Sequence, residues 1–475
     1  VKGAGAVILN TWQGRAAVGA LAVMLGLSVY VVLVFPLDYG SRFWNNPSHW
    51  AEYPKAVPPA WSGPPDAFPH TILRLERASE APGQLILYEA ALDLAAKVPP
   101  NSVTITLRGV EFSGRAPLIV LNMYRPDGLV VTLLEHVPPS GRSGEDPPYR
   151  RYFVEPFRFF PTASPQVVRG LAEALSKTYG NPISVEEVSK RPELYLFSRP
   201  LAGGGYEILR GRYLFRLELY GNEPGDSVAE ARVVLGGSVF GAMGTDILGR
   251  DLAEGLLFGF PVSLFVGLVA AGIVTLIGSG LGLLSGYLGG RADILVQRAA
   301  DVTANVPLLP LLILLAYTFR PGLITIILLL TLFSWPGLTI LVRSMVLQLR
   351  ESQLVESARA LGAPGWRIML RHIAPHVAPY VLGQVILAVP SAILTEAALS
   401  FIGLGDPQIP TWGSILELAF RTGAVFVGYW WWVIPPGALL AATSVSFILL
   451  SLSLEPYINP RLASRGGVRP GQRSR

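Results

Sequence analysis

Six stretches of the chain are apolar runs: residues 16–36, 260–284, 302–319, 322–342, 380–401 and 430–452. Each is close to the length of about 20 residues that carries a helix across the hydrocarbon of a bilayer. Inside lipid every backbone N–H and C=O must be satisfied within the segment, so runs of this kind fold as helices. Half of the residues are hydrophobic and only 15% are charged, a membrane composition. The expected fold class is an α-helical polytopic membrane protein with about six transmembrane helices. Lys2 and Arg15 precede the first run, and no small-residue cleavage site follows it. It is read as a retained span rather than a signal peptide.

Between the first two runs, residues 38–240 have the composition of a soluble domain. A Pro-rich, Trp-bearing segment, 47–69, is expected to be an extended linker. Beyond it the pattern alternates at period two, with candidate strands at 102–107, 118–124, 129–135, 206–220 and 229–235. Pro126-Asp127-Gly128 reads as a hairpin turn. One helix is expected, with Ser164 as N-cap, Pro165 at the first position and Val168, Leu171, Ala172 and Leu175 as its buried stripe. The domain is therefore a β-rich insert, either α+β or a β-sandwich. His49, His70 and His136 lie far apart in sequence with no ligand spacing, so no metal site is expected. The chain has no cysteine, which excludes disulfides, thiol catalysis and cysteine-based metal sites.

The polar stretch 351–375 interrupts two apolar runs and has internal order. Leu354, Ala358 and Leu361 recur at spacings of four and three, with Glu356, Ser357 and Arg359 off that face. Gly362-Ala363-Pro364-Gly365 breaks the helix. Trp366, Met369, Leu370 and Ile373 form a second stripe, with Arg367 and Arg371 off it, and Pro375 is expected to end it. From periodicity alone, the pair is an amphipathic knob that rests equally well on lipid headgroups.

Glu356-Ser357-Ala358-Arg359-Ala360-Leu361-Gly362, followed by Ile373-Ala374-Pro375, resembles the EAA loop of ABC importer permeases. Ser357 replaces the first Ala of that pattern, and Ala374-Pro375 stands where Leu-Pro is common. The resemblance implies a type I permease core. It also implies that Glu356, Ser357, Ala358, Leu361, Gly362, Trp366, Arg367, Ile373 and Pro375 belong to a coupling helix that docks on an ATP-hydrolysing subunit.

Other segments resemble the dipeptide/oligopeptide branch of that family. They are Gly244-Thr245-Asp246-Ile247-Leu248-Gly249-Arg250-Asp251, Ala398-Leu399-Ser400-Phe401-Ile402-Gly403-Leu404-Gly405, Pro410-Thr411-Trp412-Gly413-Ser414, and Glu455 with Asn459-Pro460-Arg461-Leu462. The first also has a local reading: Thr245 or Asp246 caps a turn, Asp251 caps the following helix, and Arg250 pairs with either acid. The large insert departs from the family, whose members carry a far shorter segment there.

Arginine places the chain in its membrane. Arg343, Arg350, Arg359, Arg367 and Arg371 flank or lie in the polar stretch, and five more lie in the tail, whereas 403–429 holds only Arg421. The positive-inside rule puts the polar stretch and both termini in the cytoplasm and the insert outside; the resemblance implies that the membrane is the inner membrane of a prokaryote. The net charge of +5 thus reports topology, and no nucleic-acid partner is expected. The domains expected are 1–37 (tail and first span), 38–240 (insert), 241–455 (permease core with the coupling loop 351–375) and 456–475 (basic tail).

No Gly-rich segment ends in Gly-Lys-Ser or Gly-Lys-Thr, so the chain has no phosphate cradle. Gly272, Gly278, Gly280 and Gly282 are read as sites of close helix approach. His372 and His376 stand at i, i+4 without the Glu of a zincin pair and are read as surface residues. Asp301 and Glu396 lie near the ends of spans. Glu396, Pro390 (an expected kink) and Trp412 are the gate or structural candidates.

No catalytic residue, metal or cofactor is expected in the chain. The resemblance assigns ATP and Mg to two separate ATP-binding subunits. It adds a second homologous permease and an extracytoplasmic solute-binding protein that delivers short peptides, or a related small solute such as nickel. Two other classes compete: a secondary transporter or channel without an ATPase, and a membrane-anchored receptor or enzyme acting through the insert.

Overall fold

The computed structural model describes residues 8–81, 85–142, 144–180, 182–201, 205–307, 310–311, 313–314 and 322–458. They form two compact units, one of residues 1–46 with 254–475 and one of residues 47–253.

The first unit opens with α1 (Trp12–Val34), whose N-cap Thr11 accepts from the backbone of Gly14 through its hydroxyl. Gly14, Ala17, Met24, Ser28 and Val31 are buried, a helical stripe, while Val23, Leu25, Val29 and Leu33 stay exposed. An apolar helix with much of its apolar surface uncovered suits lipid as its solvent.

The second unit is built on two five-stranded antiparallel sheets. In one, β1 (Thr71–Arg74), β12 (Ser227–Gly236), β4 (Ser102–Phe112) and β7 (Tyr149–Arg151) lie in that order, with β8 (Phe157–Phe159) also on β4. The other runs β2 (Glu76–Ala81), β3 (Leu85–Leu94), β11 (Gly211–Tyr220), β5 (Leu118–Tyr124) and β6 (Val130–His136). One hydrophobic core takes residues from both sheets, including Ile105, Leu107 and Val233 from one and Leu121, Phe215 and Leu217 from the other. The Asp127-Gly128 turn joins β5 to β6 as read, with Gly128 at φ +83°. The stretch 206–220 is broken, however. β10 (Tyr206–Ile208) leaves to pair with β9 (Ser198–Pro200), and Gly211 at φ +134° starts β11.

α2 (Pro165–Tyr179) buries Val168, Leu171, Ala172 and Leu175 and ends at Gly180 in the left-handed region. Ser164 holds the cap position without a side-chain bond. Two further helices, α3 (Val185–Lys190) and α4 (Pro192–Phe197), were not foreseen, because six residues are too few to display a period. Residues 47–69 are not an extended linker. They carry two helical turns, and Trp50, Val57 and Phe68 are buried. His49 and His70 are not isolated either: both stack near the ring of Tyr53, at 6.2 and 5.9 Å between centroids.

The long helices follow: α5 (Leu252–Leu288), α6 (Gly290–Asn305), α7 (Leu323–Arg350), α8 (Gln353–Ala360), α9 (Gly365–Ile368), α10 (Ala374–Phe401), α11 (Trp412–Arg421) and α12 (Trp430–Ile458). Among the described residues, five helical segments are long and apolar enough to cross a membrane. The span read at 302–319 falls partly outside those residues, at 308–309, 312 and 315–319. Residues 286–298 are the end of α5, a bend at Gly289 (φ +65°), and the start of α6.

The seam between α5 and α7 is close because glycine makes it so. A Cβ on Gly278, Gly282 or Gly286 would lie 3.0, 2.7 and 2.8 Å from a Cβ of Leu338, Val342 or Val346. Gly272 and Gly280 have open space instead. Of the three tryptophans that open α12, Trp431 and Trp432 are buried.

Candidate functional site

The polar stretch is a bent pair held from one side. α8 ends in a Schellman motif: Gly362 N–H donates to the Arg359 carbonyl at 3.0 Å and Ala363 N–H to that of Ala358 at 3.1 Å. Gly362 supplies the φ of +78° that this stop requires. Pro364 then caps α9, accepting from the N–H of Arg367 and Ile368. α9 does not stop at Pro375. A π-helical turn, Met369–Ile373, carries it into α10, and Pro375 sits in the first turn of that helix, where its missing N–H is not needed.

Of the two periodic stripes only Ala358 and Ile373 are buried. Val355, Ala358, Ile368, Ile373 and Val377 form a core with Val342 and Val346 of α7. Leu354, Leu361, Trp366 and Leu370, members of the two sequence stripes, are exposed, Leu361 by 87% and Trp366 by 62%. Leu361 lies in the stop of α8 rather than on its face. Glu356, Ser357, Arg367 and Pro375 are exposed as well, and the Arg367 guanidinium lies 5.7 Å from the centre of the Trp366 ring. The stretch thus offers four large apolar side chains beside acidic and basic ones, on a backbone fixed from behind.

Charges brace that backbone. Asp293 on α6 accepts two bonds of 2.6 Å from Arg343 of α7 and another from Ser285 of α5. The Arg343 bond holds the Asp293 carboxyl below the usual aspartate range, with Ser285 adding to it against burial. Arg350 reaches the Tyr287 carbonyl at 3.5 Å.

The segment 244–251 is a closed knot within the second unit. The Asp246 side chain is buried and accepts from the N–H of Leu248 and Arg250 and from Arg250 Nε, at 2.8, 2.9 and 2.6 Å. Thr245 N–H donates to the Val57 carbonyl and Ala56 N–H to that of Asp246. Asp251 accepts from Ala253 N–H at 2.8 Å, a cap at the start of α5. At Gly249 (φ +81°) a Cβ would come within 3.0 Å of the Trp50 carbonyl oxygen. The local capping reading accounts for Gly249, Asp246, Arg250 and Asp251, and Gly244 at φ +70° opens the turn.

Glu396 is buried on α10 and accepts from the Ser400 hydroxyl at 2.6 Å. Trp412, the first residue of α11, is wholly buried. Its indole N–H donates to the Leu256 carbonyl at 2.9 Å, and its ring meets Phe260 edge-on. Pro390 lies inside α10, and Asp301 is exposed. These residues are not brought together with the polar stretch. The sequence reading passed over Thr275, Ser334, Gln384, Ser391 and Thr395, which line one cavity; the available signal was a polar residue inside an apolar run.

The family described as binding-protein-dependent transport system inner membrane component matches residues 278–464. The chain is 36% identical over 220 residues to a dipeptide transport system permease protein, DppC, of Bacillus subtilis (strain 168), covering 46% of this chain and 68% of that one. It is also 36% identical over 221 residues to the oligopeptide transport system permease protein OppC of the same organism, covering 46% and 71%. A probable D,D-dipeptide transport system permease protein, DdpC, of Escherichia coli (strain K12) is 35% identical over 224 residues, covering 47% and 74%.

Proposed function

Because this chain belongs to the inner-membrane components of binding-protein-dependent transport systems, the ABC importer permeases of the peptide branch, we propose that it forms half of a translocation path for short peptides. The relatives named for dipeptide and oligopeptide transport support that substrate class. A second permease supplies the other half, two ATP-binding subunits drive it, and an extracytoplasmic protein delivers the solute.

In this reading the stretch 351–375 is the docking surface for an ATP-binding subunit, and the arginines around it support a cytoplasmic position for it. Residues 47–253 then face outward. The core is of the type I kind, with 302–319 as its sixth span.

The observation that carries the proposal is the exposure of Leu361 and Trp366 on a polar stretch whose other side is packed. An exposed apolar patch rimmed by charge is the ordinary signature of a contact surface. A partner that closes on ATP grips this patch and shifts the helices between two packed arrangements, a bias on a bistable element.

The test uses the assembled transporter. Gly362→Val forces a branched residue into the left-handed region at about 1–2 kcal/mol, and Trp366→Glu replaces an apolar contact with a charge. Both are expected to sever binding-protein-stimulated ATP hydrolysis from peptide uptake. Hydrolysis and uptake that stay coupled in both variants would refute docking at this surface.

A further inference from the structure

α5, α7 and α10 border a cavity of about 370 Å3. Each gives it one stripe. On α10 the lining positions are 384, 387, 388, 391, 392 and 395, and on α7 they are 330, 334, 337, 338 and 341, the three-and-four spacing of a single helix face. Thr275, Ser334, Gln384, Ser391 and Thr395 are its polar groups, set among Gly, Ala, Val and Leu; no charged residue lines it among the described residues.

All five polar groups lie within spans. Ser334 and Ser391 are exposed on the chain. The Thr275 hydroxyl is buried with no hydrogen-bond partner among the described residues. A polar group that meets hydrocarbon or is sealed without a partner costs free energy. One that faces an aqueous path or a solute does not, and intramembrane polar groups mark such paths. Thr395 donates its hydroxyl proton to the Ser391 carbonyl at 2.7 Å, so its oxygen is left to accept from a visitor.

We propose that this cavity is the chain's share of the solute path and reads a peptide's main-chain amides while ignoring its side-chain charge. The inference rests on the importer reading above and adds what the path recognises. Gln384 offers a donor and an acceptor, and each serine or threonine hydroxyl can serve as either. The polar stripe from Gln384 to Thr395 rises about 16 Å along the helix, the reach of about five extended residues. With no fixed charge in the lining, acidic, neutral and basic peptides meet the same neutral surface.

The chain has no cysteine, so a single introduced thiol is the one labelling site on this chain, and labelling is read on this chain after its separation from its partners. In the complete transporter in proteoliposomes, Gln384→Cys, Ser391→Cys and Thr395→Cys are expected to react with a charged methanethiosulfonate, and trialanine to slow the reaction. Leu276→Cys and Leu332→Cys, exposed apolar positions outside the cavity, are expected to stay unreactive. Ser391→Asp is expected to raise the uptake ratio of Ala-Lys-Ala to Ala-Asp-Ala on the order of tenfold, by placing one fixed charge beside the passing side chain.

Equal reactivity at cavity and control thiols overturns the inference. So does equal loss of both tripeptides in Ser391→Asp. If the unsubstituted transporter takes up no tripeptide in an ATP-dependent way, the importer reading itself fails.

Discussion

Gly282→Ala probes how the membrane unit is held together. The added methyl would sit 2.7 Å from the Val342 Cβ and 2.8 Å from the Thr339 carbonyl oxygen. Carbon contacts settle at 3.5–4.0 Å, so α5 and α7 must part by roughly 1 Å. Overpacking of this size costs about 1–3 kcal/mol. The same shift strains the bond from the Thr339 hydroxyl to the Gly278 carbonyl, 3.1 Å long, and interhelical bonds of this kind average about 0.6 kcal/mol.

Against these, alanine gains about 0.8–1.0 kcal/mol over glycine as a helix former. The net expectation is a loss of about 0.5–3 kcal/mol. Gly280→Ala, two residues away with nothing within 4 Å of the new methyl, is the control and is expected to be neutral or stabilising. Thermal unfolding of both variants in one detergent compares them. Equal melting of Gly282→Ala and Gly280→Ala would show that the seam is not held by glycine.

Within residues 47–253, Arg125→Ala is expected to cost about 3–5 kcal/mol, because it strands a mostly buried Asp127 and the carbonyls of Tyr195, Leu196 and Ser198; hydrogen exchange of the β5 and β11 amides reads the loss, and Arg125→Lys, lacking the planar fork, is expected to restore little of it. Acid should weaken the same unit in two stages. Burial holds the His70 and His136 imidazoles below the usual histidine range, against Glu52 in the case of His70. The unfolded chain therefore binds more protons. The stabilisation from the neutral rings is present above about pH 6.5 and lost as pH falls through the folded values. Asp127 follows at lower pH: burial raises its carboxyl, but bonds from Tyr179 and Arg125 outweigh that and hold it down. A β-sheet protection profile that stays flat from pH 7 to pH 5 would refute the histidine stage.

The long apolar runs and the period-two strands were legible because each repeats one physical constraint many times. Single residues were harder. The bend at Gly362 could be read from glycine beside proline, yet the outward turn of Leu361 and Trp366 could not. Spacing gives a face, and only the neighbouring α7 decides whether that face is covered. Trp431 and Trp432 make the same point: three adjacent tryptophans suit a membrane interface by sequence, but two of them are buried. The segment 47–69 looked like a spacer by composition, although its backbone bonds to 240–246 need partners nearly two hundred residues away. The cavity groups were hidden by dilution, five small polar side chains among many apolar ones.

Residues 365–401 run without a break from the elbow into the membrane, and at about 1.5 Å per residue that makes a rod of about 55 Å. Trp366 stands at its foot and Ser391 about 38 Å along it. Rocking the foot by about 5° would carry Ser391 through about 3 Å at that radius, comparable to one hydrogen-bond length. A modest tug on the end that carries Trp366 would then suffice to move the cavity-lining Ser391 by that distance, with no rearrangement inside the helix itself.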